Sequence, residues 1–295
     1  MKSGFVAMIG RPNAGKSTLL NQLLERKIAI TSDKPQTTRN RISGILTRDQ
    51  AQIIYIDTPG IHKPKHKLGQ YMLEAAQGTL PEVDLVYYLV DASSSFGTGE
   101  QYILDKLQQV NTPVFLILNK IDRLKPQEIL AIIDQWQFRR DFAEIFPLSA
   151  LKGDNISGLV EKTIDYLPEG PQYYPEDAVT DQPEQIVISE LIREKILQLT
   201  REEIPHSVAV TIDLMEQRAN GTIYLGATIM VERASQKGII IGKQGDLLKK
   251  IGVEARKDIE FLLGSKIFLE LWVKVREDWR NREAVLRNLG YRDNF

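Results

Sequence analysis

The sequence predicts two domains of different class: a mostly parallel, doubly wound α/β sheet over residues 1–168 and a smaller α+β domain over residues 184–295, joined by a linker at 169–183. Three observations carry this reading. Through the first part, short apolar runs alternate with amphipathic helical stretches, the pattern of strands covered on both faces by helices. The text PEGPQYYPEDAVTDQP (168–183) is dense in proline, glycine and acids and has no periodicity, so it offers no face to bury. Beyond it the period changes to helix, two alternating strands, helices and one more alternating strand.

FVAMIG (5–10), QIIYID (52–57), VDLVYYLVD (83–91) and TPVFLILNK (112–120) are short, rich in β-branched or aromatic residues and free of polar alternation, which predicts buried strands. AEIFPLSA (143–150) is a fainter fifth. STLLNQLLERK (17–27) and EQYILDKLQQV (100–110) carry the three-and-four spacing of helices packed on a sheet.

In the second part, Ile188, Leu191, Ile192, Ile196 and Leu199 form one helical stripe. Val208, Val210 and Ile212 alternate, and after an Asn220-Gly221 turn so do Ile223, Leu225, Ala227, Ile229 and Val231. Leu248, Ile251, Ala255, Ile259 and Leu262 predict a helix stopped by Gly264. A last strand alternates through Ile267, Leu269, Leu271, Val273 and Val275, and DWRNREAVLRNLGY (278–291) predicts a short closing helix ending at Gly290.

The chain has 295 residues, 42% hydrophobic and 26% charged, enough to bury the core of about two domains. A formal charge of −1 gives no global pull toward nucleic acid or an anionic membrane, so any basic surface must be local. The absence of cysteine excludes disulfides, thiolate metal sites and thiol nucleophiles, and fits a reducing compartment. The first apolar run ends at Gly10, too short for a signal peptide, and no stretch approaches the roughly 18 apolar residues of a membrane span. A cytoplasmic location is expected, with contact at a membrane surface left open.

GRPNAGKS fits the phosphate-cradling pattern G-x-x-x-x-G-K-[ST], between a predicted strand and a predicted helix. Gly10 and Gly15 let the loop curl so that the N–H groups of Arg11, Pro12's neighbours, Asn13 and Ala14 surround a phosphate, and the helix adds its positive end. Lys16 reaches the outer phosphates, Ser17 ligates Mg2+, and Thr18 follows. About 40 residues on, Asp57, Thr58, Pro59 and Gly60 end a strand, where the carboxylate can hold Mg2+ and the Gly60 N–H can sense a γ-phosphate. In the polar QTTRN loop (36–40), Thr37 and Thr38 both qualify to meet Mg2+ and the γ-phosphate, and Thr38 is favoured.

NKID decides the base. The Asp122 carboxylate can accept from both N1–H and the 2-amino group of guanine, whereas adenine would leave it desolvated and unpaired. Asn119 and Lys120 complete that segment, and Ser149, Ala150 and Leu151 sit where a backbone N–H would meet guanine O6. The expected nucleotide is GTP, with Lys16, Thr38 and Gly60 as the groups nearest the chemistry.

Taken in order and spacing, GRPNAGKS, QTTRN, DTPG, NKID and SAL resemble the translation-factor-class, Ras-like GTPases, and NAGKST, QTTR and DTPGIHKP resemble the Era family of bacterial GTPases within them. In Ras-type enzymes a glutamine after the DxxG glycine orients the attacking water. Ile61 stands there, as in Era-type proteins, so water must be positioned by switch-loop backbone and a monovalent cation. Resemblance to cation-dependent relatives makes Asn13 the candidate K+ ligand, against a role in loop shape alone. His62, with His66 nearby, is a rival base, against a solvated switch segment; three histidines make no metal constellation.

In IIIGKQGDLLKKIG, Gly242, Lys243, Gln244 and Gly245 lie between Ile241 and a helix. With two strands preceding, this resembles a type 2 KH domain, whose GxxG clamps single-stranded RNA phosphates. Lys237, Lys243, Lys249 and Lys250 face Asp246 alone between positions 237 and 250. Ile239, Ile241 and Leu248 are the candidate apolar groove; Trp272 and Trp279 could stack bases, although Trp272 fits better as cover for a helix.

The fold expected is thus an α/β P-loop GTPase domain followed by a type 2 KH domain. Resemblance to the Era family implies a GTP-driven switch that binds the 3′ end of small-subunit ribosomal RNA, assists small-subunit assembly and rRNA maturation, and associates loosely with the membrane. Two rivals are a signalling switch whose second domain is a protein or membrane-surface adaptor, and a GTP-dependent RNA-modifying enzyme; the latter would need a second catalytic constellation. A GTP-binding helper without hydrolysis is a third.

Overall fold

The computed structural model describes residues 1–34, 36–61 and 66–291. These group into two compact units: residues 1–29, 38–61 and 72–181 in one, and 30–34, 36–37, 66–71 and 182–291 in the other.

The first unit is built on six strands, β1 (Lys2–Gly10), β2 (Ile42–Arg48), β3 (Ala51–Asp57), β4 (Leu85–Asp91), β5 (Val114–Asn119) and β6 (Glu144–Leu148), in the order β2-β3-β1-β4-β5-β6. All neighbours are parallel except β2 on β3. The helices of this part of the chain are α1 (Lys16–Leu24), α2 (Lys67–Gly78), α3 (Thr98–Leu107), α4 (Pro126–Trp136) and α5 (Ile156–Tyr166). Successive strand residues point to opposite faces. Val6, Met8, Tyr87 and Phe115 therefore pack with Leu19 and Leu23 of α1 and Leu159 of α5. Ala7, Ile9, Val86 and Leu116 pack with Ala76, Ile103, Leu107 and Trp136 on the other face. This double cover is why the strands read as continuous apolar runs.

The sequence reading missed β2. ISGILTR is an edge strand, interrupted by Gly44 and polar at its outer end, so its apolar run is short. Gly44 leaves room for α1: a Cβ would come within 2.6 Å of the methyl ends of both Leu20 and Leu24, which would have to shift. The proline-rich segment at 169–181 is held against this edge. The Ile45 N–H donates to the Val179 carbonyl (2.8 Å), the Thr180 hydroxyl to the Ser43 carbonyl (2.7 Å), and the buried Gln52 amide bonds the backbone of Tyr173 and Tyr174. Side chains far away in sequence supply the order that its own composition lacks.

In the second unit, α6 (Glu184–Leu199) and the short α7 (Ile204–Ser207) lead into β7 (Ala209–Gln217) and β8 (Ile223–Val231); α8 (Ala234–Ile241) and α9 (Asp246–Leu263) then connect to β9 (Ile267–Val275), and α10 (Glu283–Asn288) follows. The sheet order is β7-β8-β9, with β8 antiparallel to β7 and parallel to β9. A parallel pair needs a crossover, which α8 and α9 provide. Ile188, Ile192 and Ile196 of α6, Ile251, Ala255 and Ile259 of α9, and Leu225, Ala227, Ile229 and Val273 of the sheet form one buried core. Leu262 departs from the sequence reading: it is exposed, and the neighbouring Leu263 packs against the core instead.

Candidate nucleotide and RNA sites

The sheet places the motifs by topology alone. The chain moves from β1 toward β3 on one side and to β4 on the other, so the loop after β1 lies at the switch point where open α/β sheets bind ligands. Gly10, Asp57, Asn119 and Ser149 all lie at or just past the carboxyl ends of β1, β3, β5 and β6.

The loop itself is shaped by left-handed backbone. Asn13 has φ 65° and Gly15 φ 100°; a Cβ at Gly15 would lie 2.1 Å from the Asn119 amide nitrogen. Lys16 begins α1, and its ammonium donates to the carbonyls of Gly10 (3.3 Å) and Arg11 (3.2 Å). Burial lowers its pKa, opposed by Asp57. Arg11 is turned outward to Glu100, a buried carboxylate that accepts through both oxygens at 3.1 and 3.0 Å.

Ser17, Thr38 and Asp57 converge. The Ser17 hydroxyl donates to Asp57 Oδ2 at 2.7 Å and lies 2.8 Å from the Thr38 hydroxyl, which is 3.3 Å from the same carboxylate oxygen. Asp57 is fully buried, and its Oδ1 has no hydrogen-bond partner. Burial pushes its pKa up, opposed by Lys16, Ser17 and Thr38. A dry carboxylate with one unpaired oxygen beside two hydroxyls is an oxygen-donor set that suits Mg2+. Thr37 is elsewhere: its hydroxyl donates to the Lys34 carbonyl at 2.7 Å. Of the two threonines, the geometry brings Thr38 to the other oxygen donors.

Thr58 donates from its hydroxyl to the Met8 carbonyl (2.8 Å), and Gly60 approaches Pro12 so closely that a Cβ would lie 2.7 Å from the Pro12 nitrogen. Ile61 anchors the turn through its N–H to the Gly10 carbonyl (3.1 Å), with its side chain in the apolar cluster of Ile9 and Val90. It does not face the phosphate loop's polar interior. His62 lies outside the described residues.

The NKID and SAL segments are tied to one another. Lys120 donates to Asp91 (2.6 Å) and to the Asn13 carbonyl (2.7 Å). Ser149 donates to Asp122 Oδ1 (2.6 Å), which orients that carboxylate. Asn119 bonds Ala14, Lys120 and Ala150 together. Leu151 is exposed, next to the Ala150 N–H. Glu100 and Asp91, which brace Arg11 and Lys120, were not singled out in the sequence; an isolated acid after a strand or in a helix carries no spacing signal.

In the second unit the GxxG stretch joins α8 to α9 through non-helical backbone: Gly242 has φ 74°, Gln244 φ 51° and Gly245 φ 85°. A Cβ at Gly242 would meet Leu247 at 2.9 Å, whereas Gly245 faces open space. Lys243, Gln244, Lys249 and Lys250 are exposed, and Lys237 and Ile241 are half-buried. A groove of about 420 Å³ runs from Gly245 and Leu248 along α9 to Phe268 and Leu271 of β9. Leu248 lines it as expected; Ile239 is exposed outside it and Ile241 packs toward the core.

Both tryptophan readings are corrected. Trp279 is fully buried, donates to the Ser207 carbonyl (2.9 Å) and stacks on Tyr291, so it cannot receive a base. Trp272 covers the neighbouring strand at Gly226, not a helix; a Cβ there would lie 3.1 Å from its ring.

This arrangement defines a P-loop protein built for guanine nucleotides, carrying a KH domain of the type in which two strands precede the GxxG. Residues 5–120 match the family described as 50S ribosome-binding GTPase, and residues 203–280 match the KH domain family. Over its length the chain is similar to the crystal structure of a tyrosine-to-alanine variant of Aquifex aeolicus Era bound to GDP·AlF4−, with 42% identity, 99% of each chain covered and a TM-score of 0.95. It is equally similar to Era in complex with MgGDPNP and nucleotides 1506–1542 of 16S ribosomal RNA, with 43% identity, 99% of each chain covered and a TM-score of 0.94. The chain belongs to the Era family of GTPases.

Proposed function

We propose that this GTPase is a switch that binds the 3′ end of small-subunit ribosomal RNA through its KH domain, and so assists rRNA maturation and assembly of the small subunit. The observation that carries the switch is the convergence of Ser17, Thr38 and Asp57, with one Asp57 oxygen buried and unpaired. The RNA partner is supported by similarity to the Era complex with 16S RNA over nearly the whole chain. The family description that names the 50S particle matches only residues 5–120, so it says nothing of the RNA-binding part.

Mg2+ bound at Ser17, Thr38 and Asp57 would neutralise charge on the phosphate oxygens. The chain does the rest. Lys16 exchanges the Gly10 and Arg11 carbonyls for outer phosphate oxygens, and the Gly60 N–H and Thr38 report whether a γ-phosphate is present. Asp122 reads guanine, and a backbone N–H of the Ser149–Leu151 segment donates to O6. Ile61 is buried and apolar, so backbone groups position the attacking water, assisted by K+ at Asn13. Equal hydrolysis by Asn13→Ala and wild type in both K+ and Na+ would remove the cation from this account.

No helix of the described residues is long and apolar enough to cross a membrane. We propose a cytoplasmic location with peripheral attachment to the inner face of the cell membrane; sedimentation with anionic vesicles tests the attachment.

The RNA-coupled activity is tested by measuring GTP hydrolysis with an oligoribonucleotide of the 16S 3′ end and with a scrambled sequence. A rate changed by the first alone supports the proposal. Rates unaffected by either RNA overturn the coupling, and the absence of Mg2+-dependent hydrolysis overturns the switch.

A further inference from the structure

Residues 30–34 and 36–37 belong to the same compact unit as α6. On α6, Ile188, Ile192 and Ile196 face the core, as an amphipathic helix requires, yet the neighbouring Arg193 and Glu194 are also fully buried. A buried charge is unfavourable unless it is paired and hydrogen-bonded, so both side chains call for a partner and a reason.

The partners lie in the segment before Thr38. Glu194 Oε1 accepts from the Thr31 N–H (2.9 Å) and hydroxyl (3.4 Å). The Arg193 guanidinium is set by Glu190, one turn earlier: its Nε donates to that carboxylate at 2.7 Å, and its Nη2 donates both to the carboxylate and to the Thr37 carbonyl. A planar guanidinium fixed along one edge by a carboxylate is a donor of set direction. Its Nη1 has no hydrogen-bond partner. A bare buried donor costs stability, so stability alone does not account for this arginine. Gln36, just before Thr37, has φ 62°, a conformation that a residue other than glycine holds only where its surroundings impose it.

The Thr37 carbonyl belongs to the peptide unit whose other end is the Thr38 nitrogen, and that unit is planar and rigid. Holding its oxygen therefore fixes where Thr38 begins. The Thr38 hydroxyl lies 2.8 Å from the Ser17 hydroxyl and 3.3 Å from Asp57 Oδ2. Released from Arg193, the peptide unit is free to turn and carry the hydroxyl away from the other two oxygen donors.

We infer that Arg193 is a positioning residue for the GTPase reaction: from α6 it orients the peptide between Thr37 and Thr38 so that the Thr38 hydroxyl meets Mg2+. The inference rests on reading Ser17, Thr38 and Asp57 as the Mg2+ set. It deepens that reading by assigning the hold on Thr38 to a residue outside every nucleotide motif.

The test uses the full-length protein carrying Glu190→Met and Arg193→Met together, which removes the two charges as a pair and leaves neither buried alone. Arg280→Met with Glu232→Met is the control, removing another mostly buried ion pair of the same unit. Three quantities are measured beside Tm: amide hydrogen exchange over residues 30–38 without nucleotide or Mg2+, GDP affinity, and the Mg2+ concentration that half-saturates GTP hydrolysis. In the Glu190/Arg193 variant, exchange should quicken and the Mg2+ requirement rise, each by about tenfold or more, the scale of one charge-assisted hydrogen bond. GDP affinity should stay that of wild type, because the phosphate loop and Asp122 are untouched. The control should match wild type in all three.

Wild-type exchange or a wild-type Mg2+ requirement in the Glu190/Arg193 variant would overturn the inference. So would an equal change in the control, which would make the effect a general one of losing an ion pair, or a matching loss of GDP affinity, which would mean collapse of the whole nucleotide site. Hydrolysis by wild type that needs no Mg2+ would remove the Mg2+ reading itself, and the role of Arg193 with it.

Discussion

The Asn119 side-chain amide donates to the Ala14 carbonyl at 2.8 Å, tying the NKID segment after β5 to the GRPNAGKS loop after β1. The same side chain accepts from the N–H groups of Lys120 (2.8 Å) and Ala150 (3.0 Å), so one buried asparagine holds three separate loops. Its position explains why Gly15 must lack a side chain. Asn119→Ala removes all three bonds and leaves a carbonyl and an N–H buried without partners. A stability loss of about 1–3 kcal/mol is expected, together with weaker binding of GDP and GTP alike. Denaturant unfolding and nucleotide titration check the two effects; nucleotide affinity retained in Asn119→Ala would contradict the tie.

Asp122 is oriented by Ser149. Asp122→Asn replaces two acceptors by one donor and one acceptor, which suits xanthine, with its N1–H and 2-oxo group, better than guanine. The variant is expected to lose GTP affinity by at least about tenfold and to favour XTP. Competition between the two nucleotides reads the exchange directly.

Proton and cation compete for Asp57. Burial raises its pKa above the usual carboxylate range when no metal is present, so its folded form takes up a proton at a higher pH than an exposed aspartate does. Stabilisation by Mg2+ should be complete above that raised value and should fall as pH drops through it, about tenfold in apparent affinity per pH unit. Mg2+ titrations of a fluorescent GDP complex between neutral pH and pH 5 test the sign. An affinity independent of pH until the ordinary aspartate range would show that Asp57 is not raised.

Ile61 occupies the position of the Ras-type glutamine but points into the core. Ile61→Gln is expected to bury an amide without a partner, costing about 1–3 kcal/mol, and to leave hydrolysis no faster. A faster rate in this variant would mean that the side chain at position 61 reaches the phosphates.

The two glycines of the GxxG differ. Gly245 needs only its positive φ, so Gly245→Ala should cost about 1–2 kcal/mol. Gly242→Ala adds a collision with Leu247 and should cost more. Thermal melts of the two variants rank them; equal losses would contradict the close approach at Gly242.

How far the sequence could be read follows from where each signal is stored. β1, β3, β4 and β5 were legible because both faces are buried and most of their residues are apolar, while the half-buried β6 read only faintly; the nucleotide motifs were legible because phosphate, Mg2+ and guanine each demand fixed residue types at fixed spacing. β2 was not, since an edge strand needs little hydrophobicity when β3 and the Val179 segment supply its pairing. Trp279 read as an exposed base platform because its partners, Ser207 and Tyr291, are distant in sequence or without periodicity. The groove was half legible. Leu248 followed from the GxxG, whereas Phe268 and Leu271 come from a strand whose place beside α9 is set by pairing with β8.

The most direct test of the account is equilibrium binding of a fluorescent RNA from the 16S 3′ end, against a scrambled RNA, in GDP and in a non-hydrolysable GTP analogue. Wild type is compared with a variant carrying Lys243→Gln, Lys249→Gln and Lys250→Gln, exposed positions where the fold is not at stake. The account predicts sequence-selective binding whose affinity depends on the nucleotide and falls, with a shallower salt dependence, in the variant. Equal, weak binding of both RNAs in both nucleotide states, unaffected by the three substitutions, would contradict it.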